Sequence, residues 1–420
     1  MTILNLGWIR AQFPALRQEM NGQPIAFLDG PGGTQVPQRV VDAIAHHLIT
    51  SNANLHGAFS TSANTEILVE QARASVADFL GCDHDEVVFG ANMTTLTFAI
   101  SRSIGRELQA GDEIVVTSLD HDANVSPWMA LAEERGVVIR TVKLHKEDCT
   151  LDMVDLAHQI TERTKLVAIG YASNAVGTIN NVAQAVRLAH AVGALVFVDA
   201  VHYAPHGLMN VRSLDCDFLV CSAYKFFGPH VGILYGKREH LTHFRPYKPR
   251  PAPNESPFCW ETGTQNFEGL AGLVASINYL TELGQQTAPA VTNRRNALMT
   301  AMVSIQEYER SLSEYMIPHL LNIPGVTLYG ISDPARFTWR TPTVGIRMMG
   351  YTPLELAKAL GDRGIFTWNG NFYALNLTQQ LGLESSGGLL RIGCTHYNTI
   401  SEIQWMLQVL HELAVHPVAA

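Results

Sequence analysis

The chain has 420 residues, 47% hydrophobic and 16% charged, so it can bury a large core, and its length suggests about two to three domains. The net charge of −9 is spread without long like-charge blocks, which argues against a nucleic-acid footprint of clustered Lys and Arg. No apolar run reaches the roughly 18 residues of a membrane span, and "MTILNLGWIRAQFPAL" has polar breaks where a secretory leader needs an apolar stretch.

The expectation is therefore a cytoplasmic protein with no nucleic-acid or membrane partner. Six cysteines are scattered without a CxxC or paired spacing, which argues against a disulfide framework and a zinc site.

In chain order, short β-branched runs alternate with helical patterns: "EVVFG" (86–90), "DEIVVTS" (112–118), "VVIRTV" (137–142), "KLVAIGY" (165–171), "ALVFVDA" (194–200), "DFLVCSA" (217–223) and "VGILYG" (231–236). This predicts an α/β fold with a mostly parallel sheet covered by helices, and a ligand site beyond the carboxyl ends of its strands. The Pro-rich "HFRPYKPRPAPNESP" (243–257) reads as an exposed loop. Long amphipathic helices and a few strands follow about residue 283. The division expected is an N-terminal segment over 1–25, a large domain over 26–282 and a smaller α+β domain over 283–420, joined by "LGQQTAPA".

The strand ends carry the chemistry. Thr94 and Thr95 open a helix after "EVVFG"; ordinary capping explains them, and so would a phosphate. His121 sits between two aspartates in "LDHDAN", either solvated or placed to stack on a flat ring. Asn174 lies in a turn that Gly177 closes, as turn geometry alone would allow. A strongly apolar strand delivers Asp199 to a poorly solvated place, where it needs a salt bridge or a cationic ligand nitrogen. Lys225, in "CSAYKFFGPHVGILYG", is a solitary amine between aromatics. Such a lysine can lose its proton near neutral pH and act as a nucleophile.

A phosphate cradle, a flat-ring partner, a buried carboxylate and an amine together suit pyridoxal phosphate. Neither GxGxxG after the first strand nor GxxxxGK[ST] is present, so a nicotinamide site and a P-loop are disfavoured.

The segments "FLDGPGGTQVP", "LDHDAN", "SNAVGT", "VDAVHYAPH", "SAYKFFGPHVGILYG", "WETGTQN" and "RIGCTHYNT" occur in the order found in class V, fold-type I aminotransferases. Within these the chain resembles the cysteine desulfurases of the selenocysteine-lyase-like group over nearly its whole length. The resemblance implies that Lys225 carries the cofactor as a Schiff base, that Asp199 pairs with its pyridine nitrogen and that His121 stacks on its ring. It gives Thr95 and Ser222 to the phosphate and places Asn174 near the ring oxygen.

His202 stands where relatives carry glutamine, and Tyr224 where they carry a phosphate-binding histidine; both replacements can donate a hydrogen bond. Thr264 corresponds to a threonine that reaches the phosphate of the neighbouring subunit, implying a homodimer with shared sites. Arg391 matches the carboxylate-binding arginine.

One part of the pattern is absent. In "GIFTWNGNFYALNL", Tyr373 takes the place of the catalytic cysteine, and Trp368 that of the arginine before it. A phenol cannot hold a persulfide, so Tyr373 is either a proton donor or a pocket wall. Cys394, three residues past Arg391, lies in a different motif and reads as a buried structural thiol.

The expected activity is that of a pyridoxal-phosphate enzyme acting on a sulfur amino acid, by β-elimination at a carbon–sulfur bond or desulfurase-like chemistry, with α-proton removal by Lys225. Alternatives are an aminotransferase or epimerase of another amino acid and a non-catalytic cofactor-binding scaffold of a sulfur pathway. Substrate choice is expected to rest on Tyr373, Trp368 and His56.

Overall fold

The structure, a computed structural model, describes residues 4–415. Residues 1–3 and 416–420, the outermost parts of the expected terminal segments, lie outside the described residues.

All seven apolar runs form strands of one sheet: β1 (Val87–Gly90), β2 (Glu113–Thr117), β3 (Val138–Val142), β4 (Thr164–Gly170), β5 (Leu195–Asp199), β6 (Phe218–Ser222) and β7 (Gly232–Gly236). Their order is β1-β7-β6-β5-β4-β2-β3, with β7 antiparallel to both neighbours and the other pairings parallel. The central strands are mostly apolar because both their faces are covered, whereas the edge strand β3 is partly exposed. Val115, Val167, Val198 and Leu219 join one core cluster, while Val116, Ala168, Phe197 and Val220 join another. Alternate residues point to opposite faces, so a run buried on both sides shows no polar alternation.

A second, four-stranded antiparallel sheet comprises β8 (Val326–Tyr329), β9 (Thr343–Met348), β10 (Trp368–Gly370) and β11 (Leu389–Gly393), in the order β8-β9-β11-β10. Its core joins Val344, Ile346, Leu390 and Ile392 to Leu312, Met316 and Met406 from flanking helices.

Two helices link the sheets. The first, α1 (Phe267–Thr287), is capped by Asn266, whose side chain accepts from Gly269 N–H; the second, α2 (Arg294–Leu321), is capped by Asn293. The segment 283–290, expected as a linker, is instead helical as far as Thr287. Leu283 and Gly284 are buried there, and a Cβ on Gly284 would lie 1.8 Å from the Ala297 carbonyl oxygen. Glycine lets the two helices approach closely, and that packing overrides the local polar sequence.

No helix among the described residues is long and apolar enough to cross a membrane.

Candidate active site

The carboxyl ends of β2, β4, β5 and β6 meet the edge of the second sheet around a cavity of about 440 Å³. Register explains the convergence. Asp199, the last residue of β5, lies opposite Gly170 on β4 and Val220 on β6, so the residues just after each strand open at one level.

Lys225 closes a 3₁₀ turn, Ala223–Lys225, directly after β6. The turn is seated on fully buried Phe226 and Phe227 and clasped by the Gly-rich segment 30–34. Phe227 N–H donates to Thr34 Oγ at 2.8 Å, Thr34 N–H donates to the Tyr224 carbonyl at 3.1 Å, and Lys225 Nζ donates to the Pro31 carbonyl. Nζ also lies 4.8 Å from the centre of the Tyr224 ring, which itself stacks on His230. Burial pulls the Lys225 pKa down to about 7; Arg391 repels the charged form and Asp199 partly offsets both.

Asp199 accepts a hydrogen bond from Val201 N–H at 2.9 Å. Its pKa is pushed up to about 6 by burial, against the Val201 amide and the nearby Lys225. The carboxyl is therefore mostly ionised at neutral pH, without a salt-bridge partner among the described residues.

His121 Nδ1 accepts from Ala123 N–H at 3.0 Å, which puts the ring proton on Nε2. Burial, then Lys225 and Arg391, lowers its pKa to about 4, so it is a flat, neutral ring. The Tyr373 ring stacks on it at 5.2 Å with a 15° tilt. His202 is also held neutral: burial drives its pKa well below the usual value, and Nε2 lies 3.1 Å from Thr341 Oγ.

Arg391, on β11, is 4% exposed and has no carboxylate within ion-pair distance among the described residues. Nη1 donates to the Asn174 carbonyl at 3.0 Å, Nε has no partner, and the guanidinium lies 4.2 Å from the centre of the Phe372 ring. Burial lowers its pKa to about 9, leaving it a cation at neutral pH. A buried, unpaired cation costs several kcal/mol, and an anionic ligand would relieve it.

Lys225, Asp199, His121, Asn174, His202, Tyr224, Thr94, Arg391, Trp368 and Tyr373 thus line one cavity. Four other nominated residues do not. The Thr95 hydroxyl donates to the Asn92 carbonyl within a helix cap, and Ser222 Oγ accepts from Met93 N–H at 3.1 Å. Thr264 is exposed. The His56 side chain is 84% exposed and lies 3.3 Å from Glu66.

Of the lining residues without a sequence-based role, three make contacts that bear on the site. Asp120 accepts from Gly170 N–H at 2.6 Å and from Asn124 Nδ2 at 3.1 Å; burial raises its pKa to about 8. Pro31 meets the lysine and Phe372 meets the arginine. Only Asp120 left a signal, as a carboxylate in a turn beside His121.

The lining fits pyridoxal phosphate on its own chemistry. It offers a neutralisable amine, an ionised carboxylate, a flat neutral imidazole and, in Asn174 Oδ1 and Arg391 Nε, two buried polar atoms lacking partners. Thr94 stands in the first turn of a helix, where amides have no intrahelical acceptor and suit a phosphate. Cys394 is fully buried, its thiol pKa is raised by burial, and no cysteine lines the cavity among the described residues.

The family model for "Aminotransferase class-V" matches residues 26–406. A cysteine desulfurase from Pectobacterium carotovorum is 33% identical, the match covering 96% of this chain and 98% of that one. The apo structure of a cysteine desulfurase from Thermococcus onnurineus superposes with a TM-score of 0.87 at 26% identity, covering 98% of both chains. The cysteine desulfurase CsdA from Escherichia coli, in an S-sulfonic acid form, gives 0.84 at 26% identity, covering 99% of this chain and 100% of that one.

Proposed function

The chain belongs to the class-V aminotransferase family of pyridoxal-phosphate enzymes, and from that premise we propose that it is a carbon–sulfur β-lyase of a sulfur-containing amino acid. The observation that carries the reading is a cavity with Tyr373 in its wall and no thiol in its lining among the described residues; by the family resemblance, Tyr373 takes the place of the sulfur-accepting cysteine. Sulfur then leaves as product instead of being stored on the protein.

Pyridoxal phosphate, when bound, supplies the electron sink that makes the substrate α-carbon acidic. Lys225 would anchor it, Asp199 would pair with its ring nitrogen, Asn174 and His202 would serve its ring oxygen, and His121 would stack on its ring. Thr94, in the first turn of its helix, would serve its phosphate. Because Lys225 Nζ has a pKa near 7, it can accept a proton at neutral pH and return it without a large penalty. The free Nε edge of Arg391 grips the substrate carboxylate; a planar fork fits a carboxylate better than a point charge does.

Thr264 and the exposed apolar residues Leu48, Ile49 and Phe59 support a homodimer in which one copy completes the phosphate site of the other. Cofactor-loaded enzyme should release pyruvate from cysteine-type substrates, and Lys225→Ala should abolish that release. No pyruvate from cysteine, cystine or any S-substituted cysteine, S-benzylcysteine included, would sink the proposal.

A further inference from the structure

One wall of the cavity is aromatic, uncharged and firmly held. It runs from Trp368 to Ala374, "WNGNFYA", without an acid, a base or a thiol. Phe372 and Tyr373 both take left-handed backbone conformations, with φ of 56° and 59°. Non-glycine residues avoid that region, and two in succession persist only where the surroundings impose them.

Here the surroundings do. Asn174 Nδ2 donates to the Phe372 carbonyl at 2.8 Å, Asp122 N–H to the Tyr373 carbonyl at 2.7 Å, and Tyr373 N–H to Asn371 Oδ1 at 3.1 Å. These bonds fix the backbone from which the two rings project.

The rings surround the place a substrate side chain must occupy. Trp368 is the cross-strand partner of Arg391, so indole and guanidinium share one face of the second sheet. The indole lies so close to Gly32 that a Cβ there would meet Nε1 at 2.4 Å. Phe372 lies against the guanidinium and Tyr373 against His121. Yet Trp368 is 51% exposed and Tyr373 70% exposed, two large apolar surfaces at the mouth of the cavity. Arg391 and Lys225 are the cationic side chains of the lining, and Lys225 is taken up with the cofactor, so once Arg391 grips one carboxylate nothing remains to pair with a second.

Building on the β-lyase reading, we propose that the substrates are cysteine S-conjugates with an apolar aryl or alkyl group on sulfur and a single carboxylate. That carboxylate binds Arg391 and the apolar group lies in the Trp368–Phe372–Tyr373 rim.

The step balances without an oxidant or a sulfur acceptor. The Cα–H bond breaks and its proton goes to Lys225 Nζ. The Cβ–S bond breaks with its electron pair on sulfur, and the thiolate departs, protonated by water to the free thiol. The remaining unsaturated amine takes up water and ends as pyruvate and ammonium.

Pyruvate release by the cofactor-loaded enzyme should be compared for L-cysteine, S-methyl-, S-benzyl-L-cysteine and L-cystathionine. S-Benzylcysteine should exceed S-methylcysteine and cystathionine in kcat/KM by roughly tenfold or more, the scale of added apolar contacts in a pocket. Trp368→Leu should narrow the benzyl-to-methyl ratio. In cofactor-free protein, S-benzylcysteine should change tryptophan fluorescence, and Trp368→Leu should abolish that change.

If cysteine yields pyruvate while S-benzylcysteine is no better than S-methylcysteine, the aromatic rim is not the substrate site and the inference falls alone. If none of the four yields pyruvate, the β-lyase reading fails and takes the inference with it.

Discussion

The state of Lys225 can be tested without any substrate. An amine with the ordinary value of 10.5 is neutral in about one molecule in 3,000 at pH 7, whereas one shifted to about 7 is neutral in about half. The reactive fraction is thus roughly 1,500-fold larger.

The cause is burial beside Arg391, with Asp199 too weak to offset it. The predicted rate profile follows from the sign of the shift. Because the folded-state value is depressed, reaction with a neutral electrophile should rise up to about pH 7 and level off above pH 8. An ordinary amine would keep rising about tenfold per pH unit toward 10.

Brief carbamylation with cyanate of the cofactor-free protein, read by peptide mass spectrometry with exposed Lys146 as reference, measures this directly. A Lys225 rate still climbing tenfold per unit between pH 8 and 10 would refute the argument from burial.

Three further outcomes are expected. Arg391→Lys should lower kcat/KM on the order of 100-fold, about 3 kcal/mol, because the planar fork is lost while the charge remains; steady-state kinetics decide it. Tyr373→Phe should lower kcat less than about threefold, since the hydroxyl makes no hydrogen bond among the described residues, and a loss of two orders would make the phenol a proton donor. Glu309 on α2 pairs with His206 at 2.8 Å in full burial, so Glu309→Ala should cost about 3 kcal/mol in urea unfolding, against a smaller loss for Glu309→Gln.

The large sheet was legible because its central strands are buried on both faces, which makes a short apolar run stand out. The same logic singled out Lys225, Asp199 and His121, each at or just past a strand end. Elements fixed by tertiary contact were not legible. The helix through 283–287 follows from Gly284 lying against Ala297, and Phe372 finds Arg391 across 19 residues of chain. Thr95 and Ser222 carry suitable hydroxyls, but the cap at Asn92 and the Met93 amide use them within the chain. Sequence alone does not reveal that competition between a helix end and a ligand.

The central claim is that this desulfurase-like cavity lets sulfur go because Tyr373 stands where a thiol would take it. The most direct measurement is the carbon product formed from L-cysteine at complete turnover, quantified beside the sulfide released. The account predicts pyruvate and ammonium in equal amounts with sulfide. Alanine as the carbon product, with sulfur retained on the protein, would contradict it.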